Sequence, residues 1–142
     1  MGFSVSAAAA IIGVSCLIAL EIFGGTLLPA STALYYAHSD FKKRAIQEMQ
    51  TDFSITSIAT TANGTGHHDL NITLENTGSS VIRCQKSSII INGTLHNFSY
   101  STTYVYPLKS VNFSVYNLSY TGQVRVKIIS NYGVSTYEEY SI

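Results

Sequence analysis

Hydrophobic and polar positions follow three successive patterns along this chain. From Met1 to Leu28 apolar residues run almost unbroken: no charge precedes Glu21, and Glu21 is the only charged residue before Asp40. At about 1.5 Å of rise per residue, a helix from Phe3 to Leu28 is roughly 39 Å long, enough to cross a ~30 Å hydrocarbon layer. Residues 1–30 are read as a single transmembrane helix. A cleaved secretory signal fits less well, since such signals have a basic start and an apolar run of only ~7–15 residues.

The second pattern is a helical stripe. Leu34, His38, Phe41, Ala45, Met49 and Phe53 recur at spacings of four, three, four, four and four, with charges on the other side. This predicts a helical stalk over residues 31–50. Gly24, Gly25 and Pro29 are poor helix-interior residues, so a kink is expected there, with the helix restarting after Pro29. A lone amphipathic helix cannot bury its own stripe. Cover is expected from the following domain or from another chain.

From Thr51 onward the period becomes two. Leu70, Ile72 and Leu74 alternate with Asp69, Asn71, Thr73 and Glu75; Val111, Phe113 and Val115 with Asn112, Ser114 and Tyr116; Val124, Val126 and Ile128 repeat the device. These are half-buried strands. Turn chemistry separates them at Asn76-Thr-Gly78, Asn92-Gly93, Thr121-Gly122 and Asn131-Tyr-Gly133. Asn92-Gly93, between Ile89-Ile90-Ile91 and Leu95, predicts a type I′ hairpin. About seven short strands in residues 51–142 predict an all-β, antiparallel, immunoglobulin-like sandwich.

Compartment is read from asparagines. Six glycosylation sequons begin at Asn63, Asn71, Asn92, Asn97, Asn112 and Asn117. Asparagine receives a glycan only on the outer side of a membrane, so the density points to an extracytoplasmic glycoprotein domain. Asn71 and Asn112 fall on the polar parity of their strands, where a sugar fits. Lys42-Lys43-Arg44 would by the positive-inside rule stay in the cytoplasm, but the cluster starts more than ten residues past Leu28, where that bias fades. The sequons decide. The N-terminus is placed inside the cell and residues 51–142 outside, in a single-pass topology.

Charge and reactive residues narrow the function. Formal net charge is zero, which gives no electrostatic case for nucleic acid. Cys16 lies in the membrane segment and Cys84 outside it, so the two are not paired; Cys84 is read as a small buried apolar residue. His67-His68-Asp69 is the sole cluster of metal-ligand types, but neighbours on an extended segment point to opposite faces, and it reads as a loop before a strand. His38 and His96 are isolated, and no glycine-flanked serine suggests a nucleophile. No enzyme, metal site or cofactor is expected. The ten tyrosines, crowded towards the C-terminus from Tyr100 to Tyr140, suit an interface or strand packing equally well.

Within the membrane segment Gly2, Ser6, Ala9, Gly13 and Cys16 fall on one helix face, Gly24 returns to it, and Glu21 flanks it. Small residues let a second helix approach closely, and an acid in lipid costs a few kcal/mol (about 2.5–3.5 for Asp at a helix centre) unless it meets a partner or the interface. This face is a candidate helix-packing seam.

The opening Met-Gly-Phe-Ser-Val-Ser-Ala-Ala-Ala-Ala-Ile-Ile resembles the N-terminus of the archaellum accessory protein FlaF family, and Leu74-Glu-Asn-Thr-Gly78 in a small sandwich behind one membrane helix is similar in layout. The resemblance implies a stator component of the archaeal flagellum that holds the motor complex fixed. It also implies a sandwich beneath the S-layer that binds S-layer protein, a FlaG-like partner, and self-association as a homodimer. No catalytic set is carried over. The competing reading is a filament-forming archaellin or type IV pilin-like subunit; those are made with a basic leader cut after glycine, whereas Met1-Gly2 has no basic residue before it. A sugar- or peptide-binding receptor would use the same sandwich.

Overall fold

The computed structural model describes residues 2–64 and 66–142. Met1, which opens the family resemblance, Thr65, the last residue of the Asn63 sequon, and the Phe3 side chain lie outside the described residues. The chain divides into two compact units, residues 1–43 and 44–142.

The helix does not restart after Pro29. It runs through α1 (Gly2–Ile22), a π-helical turn (Phe23–Leu27) and α2 (Leu28–Met49) without a break. Proline lacks an N–H and crowds the carbonyl four residues earlier. The wide turn accommodates this: the Leu28 N–H reaches five residues back to the Phe23 carbonyl, just before the proline. This is the one helix among the described residues long and apolar enough to cross a membrane, with a mean hydropathy of 2.2 in its most apolar window.

Phe53 corrects the helical stripe. It is the first residue of β1 and lies in the core, because the helix ends at Met49. Leu34, Phe41 and Met49 are exposed, and Ala45 is half-buried.

Among the described residues ten strands follow: β1 (Phe53–Ala62), β2 (His68–Asn76), β3 (Ile82–Arg83), β4 (Ser88–Ile91), β5 (Thr94–His96), β6 (Ser99–Tyr100), β7 (Tyr104–Val105), β8 (Ser110–Leu118), β9 (Gln123–Ile129) and β10 (Ser135–Ser141). They form a four-stranded sheet β1-β2-β8-β6, a second four-stranded sheet β10-β9-β4-β5, and the two-stranded β3-β7. All recorded pairings are antiparallel. The count exceeds the seven read from periodicity because β3, β6 and β7 are two-residue strands, too short to show a period.

Inward positions of both large sheets pool in one core, as a sandwich requires. Leu70, Ile72, Leu74, Val111, Phe113 and Val115 come from one sheet; Ile89, Ile91, Val124, Val126 and Ile128 come from the other. All but Ile89 and Ile91, which sit in an unbroken isoleucine run, belong to the expected alternation. At Asn92-Gly93 the backbone takes φ of 48° and 85°, and Ile91 pairs with Thr94 across a two-residue loop. That is the type I′ hairpin that the Asn-Gly pair dictates. Cys84 is buried and free, and Cys16 is exposed and free.

Candidate functional site

The two outer faces of the sandwich differ in chemistry. On β1, β2 and β8 most outward residues are small or polar: Ser57, Ala59 and Thr61 stand beside Thr73, Asn71 and Asp69, and Thr73 and Asn71 stand beside Asn112 and Ser114, with exposed Tyr116 the large aromatic side chain of this face. All six sequon asparagines are exposed. Asn71 and Asn112 share this face, and the Asn71 Oδ1 accepts the Ser114 hydroxyl at 2.7 Å. Asn63 and Asn117 meet at one carboxylate. The Asp69 carboxylate accepts the Asn63 Nδ2 at 3.1 and 3.2 Å and, through Oδ1, the Asn117 N–H at 2.9 Å. Asn117, at φ 61°, occupies the bulge where the β2-β8 register slips. His68 and Asp69 therefore belong to a strand rather than to a loop before it, and Asp69 works as a backbone anchor. Among the described residues no three His, Cys, Asp or Glu side chains gather to hold a metal.

The outer face of the second sheet is mixed. Ile90 pairs with Leu95 and with Lys127, and Lys127 pairs with Tyr137, so these residues form one row across β5, β4, β9 and β10. Leu95 is 67 % exposed and Tyr137 64 %. Beside the row, the Arg125 guanidinium donates to Glu139 Oε1 and stands 5.7 Å from the Tyr137 ring centre. The hydrogen bond to the Glu139 carboxylate, and its charge, raise the Arg125 pKa above its usual value. Ile90, Asn92, Gly93, Gln123, Arg125, Lys127 and Glu139 line a shallow depression here. Asn92 at its rim is the sequon residue on this sheet; its Oδ1 accepts the Arg125 N–H at 2.9 Å. Of this row, the sequence marks Tyr137 among the late tyrosines and Ile90 and Leu95 only as flanks of the Asn92-Gly93 hairpin. The outward parity of β9 and β4 was the signal for Lys127 and Ile90.

A third region is the end at which α2 joins the sandwich. The Asn76–Ser80 turn grips the junction: Gly78 N–H donates to Asp52 O at 2.8 Å, and Ser79 and Ser80 N–H donate to Gln50 O at 2.9 and 3.1 Å. A Cβ on Gly78 would sit 2.6 Å from Gln50 O and closer still to Asp52 N, so only glycine fits. Buried Asn76 organises the turn. Its Nδ2 donates to Ser80 O and Val105 O at 2.8 and 2.9 Å, and its Oδ1 accepts the Gly78 N–H at 3.1 Å. Its backbone N–H and C=O bond Lys109 O and Leu108 N–H. The sequence marks Asn76 and Gly78 as turn residues and as part of the Leu74–Gly78 motif of the family resemblance, without the contacts that they make.

Leu108 belongs to the same region and was not singled out. Tyr106-Pro107-Leu108-Lys109 is closed by Lys109 N–H to Tyr106 O at 3.1 Å, and Leu108 has φ 60°. Proline at the second position and positive φ at the third define a type II turn, whose third position favours glycine or asparagine. Nearby, Arg44, Gln47, Glu48, Lys86, Asn131 and Tyr132 line a polar hollow.

In the N-terminal apolar helix, Gly2, Ser6, Ala9, Gly13 and Cys16 lie within α1 together with Glu21, whereas Gly24 lies in the π-helical turn, where the 3.6-residue period that placed it on the seam no longer holds. A Cβ on Gly2, Gly13 or Gly24 would meet nothing within 4 Å.

Comparison with known proteins closes the picture. The search of curated proteins found no match. Among solved structures, the archaellum periplasmic stator protein FlaG from Sulfolobus acidocaldarius is similar at a TM-score of 0.54 and 18 % identity, covering 63 % of this chain and 99 % of that one. The archaellum periplasmic stator protein complex FlaF and FlaG from the same organism is similar at a TM-score of 0.50 and 17 % identity, covering 62 % of this chain and 87 % of that one. At such identities the likeness is one of fold, and that fold is the immunoglobulin-like sandwich expected from the strand pattern. The family profile of archaeal-type flagellin matches residues 2–142. With nearly the whole chain matched, helix and sandwich together, this protein belongs to the archaeal-type flagellin family.

Proposed function

We propose that this chain is a membrane-anchored stator component of an archaellum. Its helix spans the membrane once with the N-terminus in the cytoplasm, and its sandwich lies outside, beneath the S-layer, binds S-layer protein and holds the motor fixed against it. A FlaG-like protein is the working partner, and self-association of the sandwich is compatible with this role. The observation that carries the reading is the sandwich, which matches nearly the full length of a FlaG stator chain and is close in fold to a FlaF and FlaG complex. The seam of Gly2, Ser6, Ala9, Gly13 and Cys16, flanked by Glu21, is where a partner helix would pack.

Sugars and lattice divide the sandwich between them. Glycans on Asn71 and Asn112 would cover the small polar face of β1, β2 and β8. The row Leu95, Ile90, Lys127 and Tyr137 has one sequon residue, Asn92, at its rim and is left for protein contact; tyrosine and arginine are enriched in interface hot spots. Purified S-layer protein should retain the full-length chain, and this retention should fail when Leu95 and Tyr137 are both replaced by charged residues. Retention unaffected by that change would overturn the assignment of this face.

A filament subunit is the second reading. The family profile itself favours it, together with a helix that continues to Met49 and exposes Leu34, Phe41 and Met49, as a subunit packed helix to helix would need. Finding this chain in stoichiometric amounts in purified filaments would decide for the filament reading against the stator one.

A further inference from the structure

Six asparagines carry the glycosylation signal, but the fold does not hold the six signals alike. A transferase must engage two groups of each sequon, the Asn amide that takes the sugar and the hydroxyl two residues later, so the chain between them has to leave the fold. On a strand those two side chains lie on one face and the middle residue points to the other. At Asn71 and Asn112 the middle residue is Ile72 and Phe113, each 0 % exposed, and at Asn117 it is Leu118, 2 % exposed.

The strands β2 and β8 both lie inside their sheet, with a neighbour on each side. Their register also sets two sequons against each other: Asn71 faces Ser114, and Thr73 faces Asn112. The Ser114 hydroxyl, which the Asn112 signal needs, donates to the Asn71 Oδ1 at 2.7 Å. Asn117 is tied through its N–H to Asp69. Asn97 is pinned more lightly, by Phe98 edge-on against Phe113 at 5.3 Å between ring centres and by Ser99 Oγ at 3.1 Å from the Tyr116 hydroxyl. Freeing the Asn71, Asn112 or Asn117 signal opens the core, an event of global unfolding populated in about 10⁻³ to 10⁻⁶ of molecules in a cell.

Asn92 is held differently. Asn92, Gly93 and Thr94 are all exposed, and a Cβ on Gly93 would meet nothing within 4 Å. The Asn92 N–H donates to the Arg125 carbonyl at 3.0 Å and its Oδ1 accepts the Arg125 N–H at 2.9 Å. Its Nδ2, the atom that takes the sugar, has no protein partner among the described residues. Releasing Thr94 disturbs only β5, a three-residue strand at the edge of its sheet. Among the five sequons described in full, this is the one with all three residues exposed.

We propose that Asn92 is the sequon that the folded sandwich still presents to an oligosaccharyltransferase, whereas Asn71, Asn112 and Asn117 accept sugar only before β2 and β8 close. In the transfer, the Asn92 Nδ2 attacks the anomeric carbon of a lipid-phosphate-linked oligosaccharide. The C–N bond forms, the C–O bond to phosphate breaks with its electron pair left on the phosphate, and the amide proton passes to a base of the transferase. Sugars on the β2 and β8 face are thus early additions, and a sugar at the rim of the depression lined by Ile90, Arg125 and Lys127 is a later one. The inference rests on the extracytoplasmic placement of the sandwich proposed above, since only there does the chain meet the donor in the cell.

The test uses the full-length chain, made in a host without the glycosylation pathway and folded in detergent. It is incubated with a purified oligosaccharyltransferase and its lipid-linked donor, beside synthetic peptides that span each sequon, and occupancy is read site by site by mass spectrometry. Relative to its own peptide, Asn92 in the folded chain should react within about threefold, and Asn71, Asn112 and Asn117 at least about a hundredfold more slowly. Rates at Asn71 or Asn112 in the folded chain equal to those of their peptides overturn the proposal, and so does a folded chain left unmodified at Asn92. Because enzyme and donor are supplied in solution, orientation in the membrane does not enter. Asn92 reactive in this assay yet bare in protein isolated from its own cells supports its presentation and counts against the extracytoplasmic placement.

Discussion

The side-chain amide of Asn76 donates to the carbonyl oxygen of Val105 at 2.9 Å, across 29 residues of sequence. The same side chain serves Ser80 O and Gly78 N–H, so one residue ties the helix junction, the end of β2 and β7 together. Replacing Asn76 by Ala leaves buried backbone groups without partners, each costing about 1–3 kcal/mol. Chemical denaturation of the Asn76→Ala protein should show a loss of about 3 kcal/mol. Asn76→Asp keeps the oxygen that accepts from Gly78 but loses both donated bonds, and it should fall nearly as far.

Gly78→Ala tests the close approach of the turn to the helix end. The added methyl collides with Gln50 O and Asp52 N, which are backbone atoms and cannot rotate away. Separation of the turn should cost about 1–3 kcal/mol, the usual range for overpacking. Hydrogen exchange should localise the damage: the amides of Gly78, Ser79 and Ser80, now bonded to Asp52 and Gln50, should lose protection while those of β9 keep theirs.

Leu108→Gly should leave stability unchanged or raise it by up to about 1 kcal/mol. Release from the left-handed region stabilises by about 1–2 kcal/mol, and the greater freedom of unfolded glycine offsets roughly 0.5–1 of that. A fall in the unfolding midpoint would mean that the Leu108 side chain supports the fold after all.

Cys84 gives the protein an alkaline limit. Burial pushes its thiol up to about 11 from 9.0, outweighing a backbone hydrogen bond that lowers it. Because the folded state holds its proton more tightly than the unfolded one, this contribution to stability is complete below pH 9 and is lost as pH rises towards 11. Urea midpoints measured across that window should decline, and the decline should be smaller in Cys84→Ala. Thiol reagents near neutral pH should label Cys84 only after unfolding.

The strand pattern was legible because burial in this sandwich follows residue parity: Leu70, Ile72, Leu74, Val111, Phe113, Val115, Val124, Val126 and Ile128 needed only a period of two. The hairpin at Asn92-Gly93 was legible because positive φ at two successive positions selects those residues. What escaped depends on contacts between distant segments. Asn76 reads as an ordinary turn residue until Val105 is brought beside it. Leu108 carries no turn signal of its own, since the turn it completes is one that glycine would normally complete. Phe53 continued the helical spacing by coincidence, and only the end of the helix at Met49 assigns it to the sheet. The unbroken passage past Pro29 required a π-helical turn, a conformation for which glycine and proline give no specific signal.

The junction at Gln50 has a mechanical consequence. Two amides, Ser79 and Ser80, converge on its carbonyl, and Gly78 holds Asp52 beside it. From there Asn76 passes into β2, which lies between β1 and β8 in its sheet. A pull that reaches Gln50 is therefore delivered to an interior strand through several backbone bonds that share the force. Such a coupling loads several backbone hydrogen bonds at once instead of a single one.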